Sequence, residues 1–181
     1  MELRSDFLAG AHAAAVAIRD VPGMFRQSMD GLPHERWAEL TSWRPRGSAW
    51  SAVEHAAHTT SVLHAFTNRL VRVLAEEHAE LCDVHIEAPM AGFHQANIDA
   101  VLGHLGAEAE RLGRVLEGAT LAAWSHVAEL DGEEVTPAEL VDRASREAAH
   151  HLYAFDGLLG PARATTAVRD AIPATAAPSA G

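Results

Sequence analysis

Four histidines and one glutamate carry most of the chemistry this sequence can offer. His55 and His58 stand three apart in "WSAVEHAAH", and Glu147, His150 and His151 fall within "SREAAHHLYAFDGLL". Residues three or four apart on a helix are neighbours, so each segment can present two donors on one side. A divalent Zn, Ni or Fe ion needs three or four N or O donors within about 2.0–2.2 Å. One histidine from the first segment and a Glu–His pair from the second would make a set of two histidines and one carboxylate with open positions, suited to activating water or a thiolate.

A helical wheel over the second segment orders its residues. Leu140, Val141, Ala144, Ala148, Leu152, Phe155, Leu158 and Leu159 define one apolar face. His151 falls inside that face, Glu147 lies at its edge one turn earlier, and His150 projects off it beside Arg146. The candidate metal ligands are therefore His58, Glu147 and His151, with His55 and His150 as alternate ligands or supporting groups. A plainer reading stands beside this one. His151 is then a buried neutral imidazole bonded to Glu147 or a backbone carbonyl, because buried polar groups usually find a local partner. Glu147 is its i, i+4 partner and a surface neighbour of Arg146. His150 is a solvated surface group, and His55 is a half-buried packing residue facing Val62 and Phe66.

The elements that must position these groups are helical. A first helix is predicted from about Leu3 into Arg19, with Leu3, Phe7, Ala14 and Ile18 on one stripe. "DVPG", Asp20 to Gly23, should break or kink it, since proline lacks an N–H and clashes with the preceding turn. "LPHERWAEL" reads as a short helix with Pro33 near its start. A long helix begins at Ser51, whose spacing to Glu54 is that of a capping box, and runs to about Glu77. Residues 78–92 read as a loop holding Cys82, His78, His85 and Pro89, placed to shape a pocket mouth. The next helix runs from about His94 to Glu117 with Ile98, Leu105 and Leu112 seven apart. Asp131-Gly132 marks a tight turn in a small β-hairpin. The last helix starts at Thr136, with Pro137 at its first position and Glu139 completing a second capping box, and ends at Gly160-Pro161. The expected fold is all-α: an up-down-up-down four-helix bundle over residues 1–160, with the hairpin before the last helix. Residues 161–181, rich in Ala, Thr and Pro, are expected to form a disordered tail.

Bulk properties restrict the function. The chain has 181 residues, with 14 Lys and Arg against 25 Asp and Glu, a formal net charge of −11. No basic run is present, which argues against a nucleic-acid partner. No stretch approaches the ~18 apolar residues of a membrane span, and the N-terminus lacks the pattern of a signal peptide. The single Cys82 excludes an internal disulfide, so a cytoplasmic location is expected. Cys82 could be a nucleophile only with a base and a lowered pKa; His78 and His85 flank it, but a loop cysteine without other context is more often incidental. No Gly-rich phosphate loop, G-x-S-x-G or C-x-x-C motif occurs. The four tryptophans, Trp37, Trp43, Trp50 and Trp124, read as packing around the ends of the helices rather than as a ligand cage.

"LPHERWAELTSWRPRGSAWSAVEHAAH", followed by "DGEEVTPAELVDRASREAAHHLYAFDGLL", resembles the DinB-like/YfiT-like superfamily over about residues 30–160. That superfamily includes mycothiol-dependent maleylpyruvate isomerase-like proteins. Arg44-Pro45, Trp50-Ser51, the histidine eight residues after that tryptophan, the hairpin, the Thr-capped last helix and its His pair carry the likeness. The resemblance implies a four-helix bundle holding a divalent metal through three histidines. One would stand at His58, and an H-x-x-x-H pair on the last helix would supply the others. In "EAAHH", Glu147 occupies the place of the first His of that pair and His151 the second. An alternative register pairs Arg146 with His150, and arginine is no ligand because it stays protonated. The implied activities are thiol-dependent transfer or isomerisation, with a low-molecular-weight thiol as co-substrate, and metal-dependent hydrolysis; homodimerisation is implied by analogy. Three functions are compatible with these residues: a metal-dependent enzyme on a small molecule, a metal-free bundle that binds a small ligand or does His/Glu acid-base chemistry in the same cavity, and a structural module.

Overall fold

In the computed structural model the described residues are 2–46, 50–81 and 96–171. The fold is mainly helical with one small sheet. In chain order it comprises α1 (Glu2–Gln27), a 3-10 turn (His34–Arg36), α2 (Trp37–Ser42), α3 (Ala52–Ala75), β1 (Ala79–Leu81), α4 (Ile98–Gly118), a second 3-10 turn (Ala123–Ser125), β2 (Ala128–Leu130), β3 (Glu133–Val135) and α5 (Pro137–Ala171). α3 packs extensively on both α4 and α5, α1 packs on α4, and α1 touches α5 more lightly.

The hydrophobic periodicity gives the inner faces correctly. On α4, Ile98, Leu102, Leu105, Leu112 and Leu116 are all buried. On α5, Leu140, Ala144, Ala148, Phe155 and Leu159 are buried along the predicted stripe, with Leu152 and Leu158 partly buried against the core. Both capping boxes form. Ser51 and Glu54 satisfy each other at the start of α3, with the Ser51 amide donating to Glu54 Oε2 at 2.7 Å. At α5 the Thr136 amide donates to Glu139 Oε2 at 2.8 Å, and the Glu139 amide donates back to Thr136 Oγ1 at 3.3 Å. Because the Ser51 cap sets the first turn of the helix that carries His55 and His58, Ser51→Ala should cost about 1–2 kcal/mol in urea unfolding. An unchanged midpoint would show that the cap is dispensable.

Three boundaries differ from the sequence reading. α1 does not break at Asp20–Gly23 but runs through Pro22 to Gln27. The reason is tertiary: Ile18, Val21, Phe25 and Met29 continue one buried stripe across the proline, and that burial outweighs the single lost helical hydrogen bond. α5 does not end at Gly160-Pro161 but continues through Pro161 to Ala171. Arg163 holds this extension in place. Its guanidinium donates to the Ser28 carbonyl beyond α1 and to the Asp156 carbonyl at 3.2 Å, and it pairs with the Asp156 carboxylate at 2.9 Å. Residues 161–171 are thus helical; 172–181 lie outside the described residues.

The third difference is in the 78–92 segment, whose start is not loop. Ala79–Leu81 forms β1, parallel to β2, which pairs antiparallel with β3. Ala79, Leu81, Ala128, Leu130 and Val135 are buried, so the strands add a small apolar layer to the helical core. The hairpin turn is as predicted: Asp131 and Gly132 have φ of 56° and 81°, the two positive values a two-residue hairpin turn of type I′ requires. This turn delivers the chain directly to Thr136 and the start of α5. Cys82 and His85, like the start assigned to the third long helix at His94, lie outside the described residues. Asn97 caps α4, its side chain accepting from the Asp99 amide at 2.8 Å.

Candidate functional site

The facing surfaces of α3 and α5 bring three imidazoles together beside one tryptophan. His55 and His58 come from the first two turns of α3, and His151 from the middle of α5. His58 and His151 are buried, at 9% and 5% exposure, while His55 is half-buried. The His55 and His151 rings meet through like nitrogens, Nδ1 to Nδ1, at 3.0 Å. His58 stands edge-on to His151 with ring centres 4.6 Å apart. Trp50, just before the α3 cap, lies 4.8 Å from His58 and 5.1 Å from His55, and stacks on His151 at 5.5 Å with 17° between planes.

The wheel's assignment of the α5 residues holds. His151 faces inward, His150 is exposed with its ring 5.1 Å from that of His151, and the Glu147 side chain is 52% exposed at the edge. Glu147 Oε2 lies 3.8 Å from His151 Nε2, beyond hydrogen-bond length. Arg146 pairs with Asp142 at 2.9 Å and takes no part. His55 is not a packing group directed only at Val62 and Phe66, since its ring meets His151 and Trp50. Trp50 likewise does more than pack around a helix end, because it contacts all three imidazoles. Its signal in the sequence is position: five residues before His55 and eight before His58, at the entry to a capped helix.

Burial sets the charge state of the cluster. Desolvation, reinforced by the neighbouring His58, His55 and His150, lowers His151 to about 3. Desolvation with the His150 and His58 charges lowers His55 to about 4. Both are therefore neutral at pH 7, each with one N–H donor and one lone pair. Glu54, one residue from His55, is the opposite case. Burial alone would raise its pKa, but hydrogen bonds from Ser51 and the Arg44 guanidinium outweigh burial and lower it. Arg44 thereby ties the chain ahead of Trp50 to the first turn of α3.

The sequence profile of the DinB superfamily matches residues 17–154. The chain belongs to the DinB superfamily. No curated protein and no solved structure matches it. For this DinB-superfamily chain the resemblance implies a divalent ion held by His58, Glu147 and His151. As they stand these three side chains are not gathered as a ligand set, and the Glu147 carboxylate is turned largely to solvent at the rim. Glu147 approaches His151 at Nε2, whereas His55 approaches it at Nδ1, on the other side of the ring. One ion cannot use both nitrogens of a single imidazole, so His55 cannot be an alternate ligand on an ion shared by Glu147 and His151. Among the described residues, no group of three or more His, Cys, Asp or Glu is gathered to hold a metal ion. No described helix is long and apolar enough to cross a membrane. A surface cleft of about 500 Å³, lined by Leu40, Trp43, Pro161 and Thr165 among others, contains none of the four histidines of the two segments.

Proposed function

We propose that this DinB-superfamily chain binds a small molecule and acts on it directly through neutral imidazoles, without a resident ion. The observation that carries the reading is the His55–His151 pair at 3.0 Å with His58 and Trp50 against it. Neutral imidazoles can donate an N–H to a carbonyl or accept a proton from an acidic group, and a neutral histidine polarising a carbonyl is an established catalytic device. Trp50 supplies a flat apolar wall on which a planar part of a ligand could lie. In this reading α1, α3, α4 and α5 form an up-down-up-down four-helix bundle. Support comes from the packing of α3 on α4 and α5 and of α1 on α4.

The mechanism rests on the chain's own groups. α3 and α5 orient the imidazoles, Trp50 and the apolar neighbours keep them poorly hydrated, and Arg44–Glu54 holds the entry to α3. A thiol or hydroxyl on the ligand would find a lone pair or an N–H on the half-buried His55.

Metal analysis of protein purified without an affinity tag tests the proposal. Less than about a tenth of an equivalent of Zn, Ni, Fe or Mn is expected, with no uptake on reconstitution. Stoichiometric uptake that His58→Ala and His151→Ala both abolish would replace it with the metal-dependent reading, in which a thiol co-substrate or water is activated by the ion. In parallel, His58→Ala and His151→Ala should leave the helical circular dichroism intact and remove small-molecule binding in a ligand-observed NMR screen. If those variants alter stability alone, the histidines are core residues and the chain is a structural module.

A further inference from the structure

Apart from the histidine cluster, the solvent edge of the α3–α4 contact carries a closed ring of side-chain hydrogen bonds. Within α3, the Asn68 amide nitrogen donates to His64 Nε2 at 3.0 Å. Across the interface, His64 Nδ1 donates to Glu108 Oε1 at 3.1 Å, and Arg111 Nη2 donates to Asn68 Oδ1 at 2.7 Å. Arg111 Nη1 closes the ring on Glu108 Oε2 at 3.4 Å. We infer that this ring is a proton-operated tie between α3 and α4, closed while His64 is neutral and opened at the Asn68–Arg111 bond when His64 takes up a second proton.

The chemistry of its ends forces the direction of the ring. Arginine only donates and an ionised carboxylate only accepts. Asn68 must therefore turn its oxygen to Arg111 and its nitrogen to His64. His64 must then accept at Nε2 and carry its one proton on Nδ1, facing Glu108. In this arrangement alone does each of the four bonds have one donor and one acceptor. A second proton on Nε2 sets an N–H against the Asn68 NH2 group across the same 3.0 Å. Turning the amide over gives His64 an oxygen, but it sets the NH2 group against Arg111. One oxygen cannot stand on both sides of the amide, so the Asn68–Arg111 bond is lost. The His64–Glu108 bond, now between opposite charges, is strengthened.

The ring is placed to respond to solvent. The His64 side chain is 55% exposed, so protons from water reach it, whereas Glu108, at 22%, anchors the α4 side. The charged groups that face His64 come from α4: Glu108 directly, and Arg111 through Asn68. His104, one turn before Glu108, is exposed and stands outside the ring. Among the described residues, no other element packed on α3 makes a hydrogen bond or ion pair to His64. His58 lies six residues before His64 on the same helix, so the tie helps to hold the helix that carries part of the histidine cluster. The tie does not depend on what that cluster binds.

Long-range proton–nitrogen correlation spectra of the histidine side chains in the full chain at pH 7.5 should show His64 protonated at Nδ1 and bare at Nε2. A double-mutant cycle with Asn68→Ala and Arg111→Ala, read by urea unfolding at pH 7.5 and 5.5, isolates the bond that opens. The other titrating groups are common to all four proteins and cancel in the cycle. The coupling should be about two- to fivefold in the unfolding constant at pH 7.5, the size of one exposed charged contact, and close to unity at pH 5.5. Asn68→Asp offers one carboxylate oxygen to each neighbour, so its coupling to Arg111 should persist at pH 5.5. Neutral His64 protonated at Nε2, an Asn68–Arg111 coupling that is absent at pH 7.5 or equal at the two pH values, or an Asn68→Asp coupling that vanishes at pH 5.5 would each overturn the tie.

Discussion

Between pH 6.5 and 4.5 the protein should lose on the order of 2–4 kcal/mol of folding stability. The ordinary histidine value is 6.5, and burial lowers His55 to about 4 and His151 to about 3. Below pH 6.5 the unfolded chain takes up protons at these two positions while the folded chain does not. The unfolded state then binds more protons, so stability falls as pH falls, and the full contribution is present only above pH 6.5. The two sites sit against each other, so their effects do not simply add, and the range quoted is below the sum of two independent shifts. Choosing pH 4.5 as the lower limit separates this effect from the carboxylates. Glu54, Glu117 and Glu139 are held below their usual 4.5 and contribute stability that is lost only at lower pH. Urea unfolding at pH 7.5, 6.5, 5.5 and 4.5 measures the slope. The double variant His55→Gln, His151→Asn should flatten it even if its absolute stability drops. A native protein equally stable at 7.5 and 4.5, or a variant with the same slope, would show that these imidazoles are not held neutral.

The parts of this fold that the sequence announces are those decided by local chemistry. Ser51 with Glu54, Thr136 with Glu139 and Asp131-Gly132 each satisfy a backbone requirement within four residues, so they form wherever the chain is placed. The inner faces of α4 and α5 are also legible, because helical periodicity needs no knowledge of the partner. What cannot be read locally is whether a proline ends a helix. Pro22 and Pro161 both look like stops, and both are overruled by contacts with residues far away in sequence. β1 is hidden for the same reason: three residues become a strand only because β2 offers a free edge. At the site, the wheel correctly turns His151 inward and leaves Glu147 at the rim. It cannot show that His55, on another helix, meets His151 across the interface. That contact depends on the rotation of α3 against α5, which no single-helix pattern fixes. The family pattern draws attention to Glu147 as the third donor, whereas the third imidazole comes from α3.

Phe155→Ala should be the most damaging single substitution, at about 3–5 kcal/mol. Phe155 is fully buried one turn beyond His151, and its ring meets that of Phe25 edge-to-face at 4.9 Å. Phe25 lies three residues past Pro22 in the continued end of α1, and Phe155 lies six residues before Pro161, so this contact ties the continued end of α1 to the α5 turn that follows His151. Removing the ring loses its apolar burial and leaves a cavity beside Phe25, while the helices can close only partly around it. The same loss should loosen the α5 turn that fixes His151, so the acid slope described above should shrink along with the total stability. A cycle with Phe25→Ala separates the ring–ring contact from simple burial. The double variant should be less destabilised than the sum of the singles by about 0.5–1.5 kcal/mol, the usual worth of an aromatic pair beyond its area. Strict additivity would mean that the two rings contribute independently. The continuity of α1 through Pro22 would then rest on the burial of Ile18, Val21 and Met29, and that of α5 through Pro161 on Arg163 and its hold on the Ser28 and Asp156 carbonyls.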